Sequence, residues 1–269
     1  VGKHAADFMS TSDKWFRGIE LSYAPDGSVY VLDWSDIGEC HDNDGIHRTS
    51  GRIYRISYGK TEAAKVDLTE WSNDDLAESV GSPNEWYSRQ ARQLIQQRAA
   101  AGQDLTKAAL KLMNTYRLTS STPTALRAMW TLNAISSADE DWLLEQSNDE
   151  REHIRTWAIK LLCDQEALSK KTQKRFIEMG GQDKAGLVQL QLASALQQLP
   201  LEDRWPLANA LVSQDTFAKD PVFPLLVWYG INPAVTENRN AALKLVAQCK
   251  IPKVRQFIAR RLAGEAGKE

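Results

Sequence analysis

The sequence predicts a mainly α protein, a solenoid of about six helical hairpins preceded by a small three-stranded antiparallel β meander. Three observations support this. Strict apolar/polar alternation is confined to the first sixty or so of the 269 residues. Beyond about residue 82 the apolar spacing switches to three and four, the period of a helix with one buried ridge. Composition changes at the same place: residues 1–82 hold 8 basic and 15 acidic side chains, while residues 83–269 hold 25 and 20. The N-terminal stretch carries eight of the fifteen glycines, and the rest is rich in Ala, Leu, Gln and Arg, all good helix formers.

The strands come first. Ile19 to Tyr23 alternates with period two, Ala24-Pro25-Asp26-Gly27 supplies turn chemistry, and Ser28 to Trp34 continues the pattern. A polar loop from Ser35 to Ser50 separates this hairpin from Gly51 to Tyr58, a third alternating stretch that ends at Gly59. A meander this small is only marginally stable without a partner. Its cover would be the helical region of the chain or neighbouring blades of a propeller, which protects its edges by radial repetition. The abrupt start at Val1 favours a fragment of a longer protein. The expected division is a meander over residues 1–66 and a helical repeat domain over 67–269.

Within the helical region a single pattern recurs, a residue often followed by Arg or Gln, with apolar residues four and eight positions on. The copies are Tyr87/Ala91/Ile95, Leu126/Trp130/Ala134, Ile154/Ala158/Leu162, Val188/Leu192/Leu196, Val222/Leu226/Gly230 and Val254/Ile258/Leu262. Their starts lie 39, 28, 34, 34 and 32 residues apart, which fits one helical hairpin per repeat. Degenerate copies without a TPR signature favour a HEAT-like array. Pro83, Pro123, Pro221 and Pro252 each stand near the start of a ridge helix, where a missing N–H removes no hydrogen bond. Trp130, Trp157 and Trp228 fall in the ridge segments, where packing between hairpins is the expected use of a large indole.

Charge and cysteine content narrow the function. A formal net charge of −2 sets up no global field for nucleic acid or an anionic membrane. Two basic clusters, Lys170/Lys171/Lys174/Arg175 and Lys250/Lys253/Arg255/Arg260/Arg261, read as solvated helix faces, because no exposed aromatic run accompanies them. No apolar run approaches the roughly 20 residues of a membrane span, and Val1 to Ser10 lacks the pattern of a secretory signal. Cys40, Cys163 and Cys249 form no CxxC or CxxCH, so neither a zinc finger nor an attached c-type haem is encoded.

The densest polar constellation runs from Asp33 to Arg48. Asp33, Asp36, Glu39, His41 and Asp44 are candidate metal ligands: carboxylate oxygens suit Ca²⁺ or Mg²⁺, and His41 with Cys40 would suit a softer ion. The spacing matches neither the EF-hand loop nor a zinc signature. The favoured reading is an inter-strand loop whose Asp and Asn side chains bond their own backbone. No nucleophile with a spaced base can be identified, so no catalytic residue is assigned.

Lys14-Trp15-Phe16-Arg17, Tyr23 to Trp34, Gly38-Glu39-Cys40-His41 and His47 to Ile56 together resemble the closing blade of the PVC-type membrane-bound dehydrogenase family. Pro83 to Arg92, Leu196 to Pro200, Arg204-Trp205-Pro206 and Arg255 to Leu262 are similar to that family's HEAT-like segment. The resemblance covers nearly the whole chain. It implies a periplasmic or otherwise exported parent with a propeller similar to that of soluble quinoprotein sugar dehydrogenases, then a helical solenoid, and often a c-type cytochrome domain. Quinone, Ca²⁺ and c-type haem are cofactors of such a parent, and this chain by itself is expected to hold no cofactor. The expected role is a non-catalytic scaffold or protein-interaction module, with the remaining blades and a protein on the solenoid surface as partners. The alternative is a portion of a quinone-dependent sugar or alcohol dehydrogenase, with the acidic loop in a site completed by missing blades. A stand-alone adaptor is the third reading.

Overall fold

The computed structural model describes residues 2–35, 50–60, 62, 64–165 and 167–266. The chain packs as two compact units, Val1–Leu112 and Met113–Glu269. It is mainly helical, with a three-stranded antiparallel sheet before the first helix.

In the first unit the sheet is a meander in the order β1 (Gly18–Tyr23), β2 (Val29–Asp33), β3 (Arg52–Ile56). Tyr23 pairs with Val29 and Leu21 with Val31 on one side of β2, and Val31 pairs with Tyr54 and Leu32 with Ile53 on the other. The register slips between Gly18 and Glu20, leaving Ile19 as a bulge residue. Gly27 closes the first turn at φ +79°, a left-handed conformation that glycine adopts at no steric cost. The Asp26 carboxylate accepts from the Ser28 N–H at 2.9 Å, the Asx geometry its position suggests.

Helices begin after a 3-10 turn at Leu68–Glu70. Ser72 and Asp75 form a reciprocal capping box on α1 (Asn73–Ser79), and Asn84 caps α2 (Glu85–Ala100). Asn84 also reaches the sheet: its amide donates to the carbonyls of Ala24 at 3.1 Å and Pro25 at 3.2 Å. One side chain thus starts a helix and holds the β1–β2 turn against it. The change from strand to helix lies between Ile56 and Leu68, and the first compact unit continues past it to Leu112. The helix α3 (Thr106–Leu118) runs through the division.

The second unit continues with α4 (Thr122–Ala134), α5 (Glu140–Gln146), α6 (Glu152–Cys163), α7 (Lys170–Gln182) and α8 (Gly186–Ala195). After two 3-10 turns come α9 (Arg204–Val212), α10 (Phe223–Glu237), α11 (Arg239–Gln248) and α12 (Pro252–Ala266). Neighbouring helices pair as hairpins, and the hairpins stack in two layers. The even helices α4, α6, α8, α10 and α12 pack in series, and the odd helices α7, α9 and α11 pack in a second series. Contact with the adjacent helix and with the next but one is the connectivity of a solenoid.

All six ridge segments lie along even helices, with Leu196 just past the end of α8 and Val222 just before the start of α10. Two ridges are displaced around the helix. In α10, Val222 is 48% exposed, and Phe223, Val227 and Ile231 face inward instead. In α4, Ala125, Met129 and Leu132 are fully buried while Trp130 and Ala134 are half-buried. Helices apolar on more than one face leave the spacing unable to choose between adjacent stripes, and the neighbouring layers make the choice. The tryptophans pack between hairpins as expected. Trp130 meets Trp157 edge to face at 4.7 Å, and Trp228 stacks on Phe257 at 5.4 Å.

Glycines set the closest approaches between repeats. A Cβ on Gly230 of α10 would lie 2.6 Å from Leu196 Cβ, an atom fixed to the backbone. On Gly180 of α7 it would meet Ala210 Cβ and Leu207 Cδ1 at 3.3 Å. Gly230→Ala is therefore expected to destabilise the protein by about 1–3 kcal/mol through overpacking. Gly181→Ala, in open space on α7, is expected to stabilise it by about 0.5–1 kcal/mol. Urea denaturation of the two variants checks both signs.

Candidate functional site

Of the five candidate metal ligands, Asp33 is described, and Asp36, Glu39, His41 and Asp44 lie outside the described residues. Asp33 ends β2 at 4% exposure. Its Oδ1 accepts from the Arg17 N–H at 2.7 Å and the Ser35 N–H at 2.9 Å, and its Oδ2 accepts from Arg52 Nε at 2.7 Å. Burial opposes ionisation, but these donors together hold the carboxyl below the usual carboxylate range. Asp13 closes the other side of the Arg52 fork and is likewise held low, chiefly by that guanidinium. The result is a rigid knot joining the segment before β1 to the ends of β2 and β3. It fixes both mouths of the loop: Ser35, at φ 54°, follows it directly, and the Ser50 hydroxyl donates to the Ser35 carbonyl at 3.2 Å. A second pair, Arg55 with Asp26, braces the β1–β2 turn.

The helical repeats place their polar chemistry at the hairpin ends. In three of the repeats the side chain after a ridge start turns back to carbonyls left over by the preceding helix or loop. In the first unit Ser88 Oγ donates to the Val80 carbonyl at 2.8 Å. In the second, Arg155 Nη1 donates to Asp149 and Glu150 carbonyls at 2.8 and 2.9 Å, and Gln189 Nε2 donates to Met179, Gly180 and Asp183 carbonyls between 2.9 and 3.3 Å. Arg155 also makes a bidentate pair with Asp183. Burial works against ionisation of Asp183, yet the Arg155 hydrogen bonds hold its carboxyl low. Near the start of the unit the Tyr116 hydroxyl donates to Gln146 Oε1 at 2.7 Å, and burial pushes its pKa up.

Three of the four side chains of the first basic cluster bond into this stack. Lys170 pairs with Asp203, Lys171 with Asp141, and Arg175 donates to Ser147 Oγ and the Ser147 carbonyl at 2.9 Å. Partners some thirty positions apart in sequence belong to successive hairpins, so these bonds measure the repeat. Between α5 and α7 they edge an open groove floored by Leu144 and flanked by Glu145, Lys174 and Glu178. A smaller cleft lies between α9 and the end of α10, lined by Trp205, Glu202 and Glu237. Burial pushes the Cys163 thiol up to about 12 and raises that of Cys249, so both stay protonated at neutral pH. The described residues bring no three His, Cys, Asp or Glu side chains together in a metal-ligating group. Sequence reasoning noted the recurrent Arg or Gln after the ridge start and missed what it does.

A family model described as a domain of unknown function, DUF7133, matches residues 2–60. The matched segment spans the three strands and the knot around Asp33 and stops before the helices. No curated protein matches the chain. No helix among the described residues is long and apolar enough to cross a membrane.

Asp33→Ala leaves two backbone N–H groups and one side of Arg52 without an acceptor, so a loss of about 1–3 kcal/mol is expected in urea denaturation. Asp183 carries a pH signature. Its folded pKa is depressed, so its contribution is present above the unfolded value of about 3.9 and is lost as pH falls through the folded value. Asp183→Asn should therefore destabilise the protein at pH 7 and show a flatter decline in stability below pH ~4. Parallel pH dependences of variant and parent would remove Asp183 from this account.

Proposed function

We propose that this chain is a non-catalytic scaffold and interaction module, the C-terminal region of a larger propeller-type protein similar to the PVC-type membrane-bound dehydrogenases. In this reading the sheet is the last blade of an exported parent's propeller, and the stacked hairpins hold that propeller and present a surface to a protein partner. The observation that carries the reading is the exposure of the sheet. Leu21 and Tyr23 on one face are 70% and 51% exposed, Ile53 on the other is 69% exposed, and every residue of β1 is exposed. A short strand edge with bare apolar residues on both faces is a template for pairing, and burying each large side chain fully is worth about 1.5–3 kcal/mol. Flanking blades would cover both faces, and a fourth strand of the same blade would cover an edge.

In this reading the quinone, Ca²⁺ and haem belong to the rest of the parent. The sequence has no CxxCH for haem, and the one described candidate ligand, Asp33, is taken up by Arg17, Ser35 and Arg52.

Two measurements test the proposal. The purified chain, supplied with sugars or alcohols, added quinone and Ca²⁺, is expected to reduce dye at the background rate; quinone-dependent reduction above it would make the chain catalytic. Amide hydrogen exchange at residues 18–23 is expected to be fast in the chain alone and to slow at least about tenfold within the full-length parent. Equal rates in both would remove the blade assignment.

A further inference from the structure

Two helical hairpins far apart in the sequence carry opposite charge. Residues 239–264, covering α11 and nearly all of α12, contain seven Lys and Arg and not one Asp or Glu. Arg239, Lys244, Lys250, Lys253, Arg255 and Arg260 are all exposed, and no ion pair joins any of the six to an acid among the described residues. In the preceding repeats Lys170, Lys171 and Arg155 meet acids of a neighbouring hairpin. Leu243 stands 51% exposed among these six bases.

Residues 66–88, covering the 3-10 turn, α1 and the start of α2, are the complement. They contain six Asp and Glu and not one Lys or Arg. Asp67, Glu70, Asp74, Asp75 and Glu78 are exposed. Lys111 answers Glu78 at 2.8 Å and also donates to the Asp74 carbonyl; Glu70 has no ion pair among the described residues. Asp67 and Asp75 accept cap hydrogen bonds, which hold both carboxyls low and keep them charged.

We propose that the basic α11–α12 face docks the acidic α1 hairpin of a second copy of this chain, giving head-to-tail association. The occupant follows from charge complementarity: each segment has one sign only, with nearly equal numbers, and both lie on one chain. Such a contact is heterologous, joining two different surfaces, so it leaves a free end of each kind and can add further copies. Exposed pairs contribute little singly, so the contact is weak, steered by charge and sensitive to salt.

Sedimentation velocity of the full chain against concentration and salt tests this. At about 20 mM salt the protein is expected to associate, and the association constant is expected to fall at least about tenfold by 0.5 M as the screening length shrinks. Lys253→Glu with Arg260→Glu should remain monomeric at low salt, as should Glu70→Lys with Asp74→Lys. Each double variant is checked for a native melting curve. An equimolar mixture of the two should associate again, since one keeps the native acidic face and the other the native basic face. Three outcomes overturn the proposal: a monomer at all salt concentrations, association unchanged in either variant, or variants that stay apart when mixed.

Discussion

A helix that ends inside a stack leaves carbonyl groups that no further turn can satisfy, and water does not reach them. The helical half of this protein depends on how that constraint is met. In α1 the Val80 carbonyl is taken by Ser88, and in α7 the Met179 and Gly180 carbonyls are taken by Gln189 from the partner helix of the same hairpin. The next hairpin helps: Arg175 bonds the Ser147 carbonyl at the end of α5, Gln214 bonds that of Gly180, and the Lys250 N–H bonds that of Val212 at the end of α9. These odd helix ends are closed by a neighbour, and the donor fixes how far the chain can turn before the next helix begins.

With the ends closed, the layers can approach. Gly180 and Gly230 let α7 meet α9 and α10 meet the end of α8 at distances a side chain would forbid. Arg204 makes use of the second approach. Its guanidinium donates to the Leu199 carbonyl at 2.9 Å and the Gly230 carbonyl at 2.6 Å, while burial lowers its pKa. A charge held by carbonyls is tolerated there because several dipoles replace the lost water.

The sheet obeys a different rule. Its order comes from Asp33, a buried carboxylate with three donors, and from Arg52 bridging it to Asp13. The faces of the strands contribute less, since Val31 is buried while Leu21, Tyr23 and Ile53 stand open. Polar bonds hold the local geometry of such a sheet, and apolar burial has to come from a neighbour. The region matched by the family model, residues 2–60, is the region with this arrangement.

The sequence by itself determined the element types. Period-two alternation with Pro-Asp-Gly between two runs specifies a hairpin whatever surrounds it, and ridges some 28–39 residues apart specify one helical hairpin per repeat, because both periods arise from local backbone geometry. It also exposed the recurring Arg or Gln, without its purpose. The tertiary structure decided which stripe of α4 and α10 faces inward, since Phe223 and Val222 are equally apolar and only the adjoining layers distinguish them. It decided the use of Asp33 as well, turning a candidate ligand into the anchor of three segments. Both decisions depend on partners distant in the chain, Arg52 for Asp33 and α8 for α10, and spacing along a sequence carries no information about what lies across a contact.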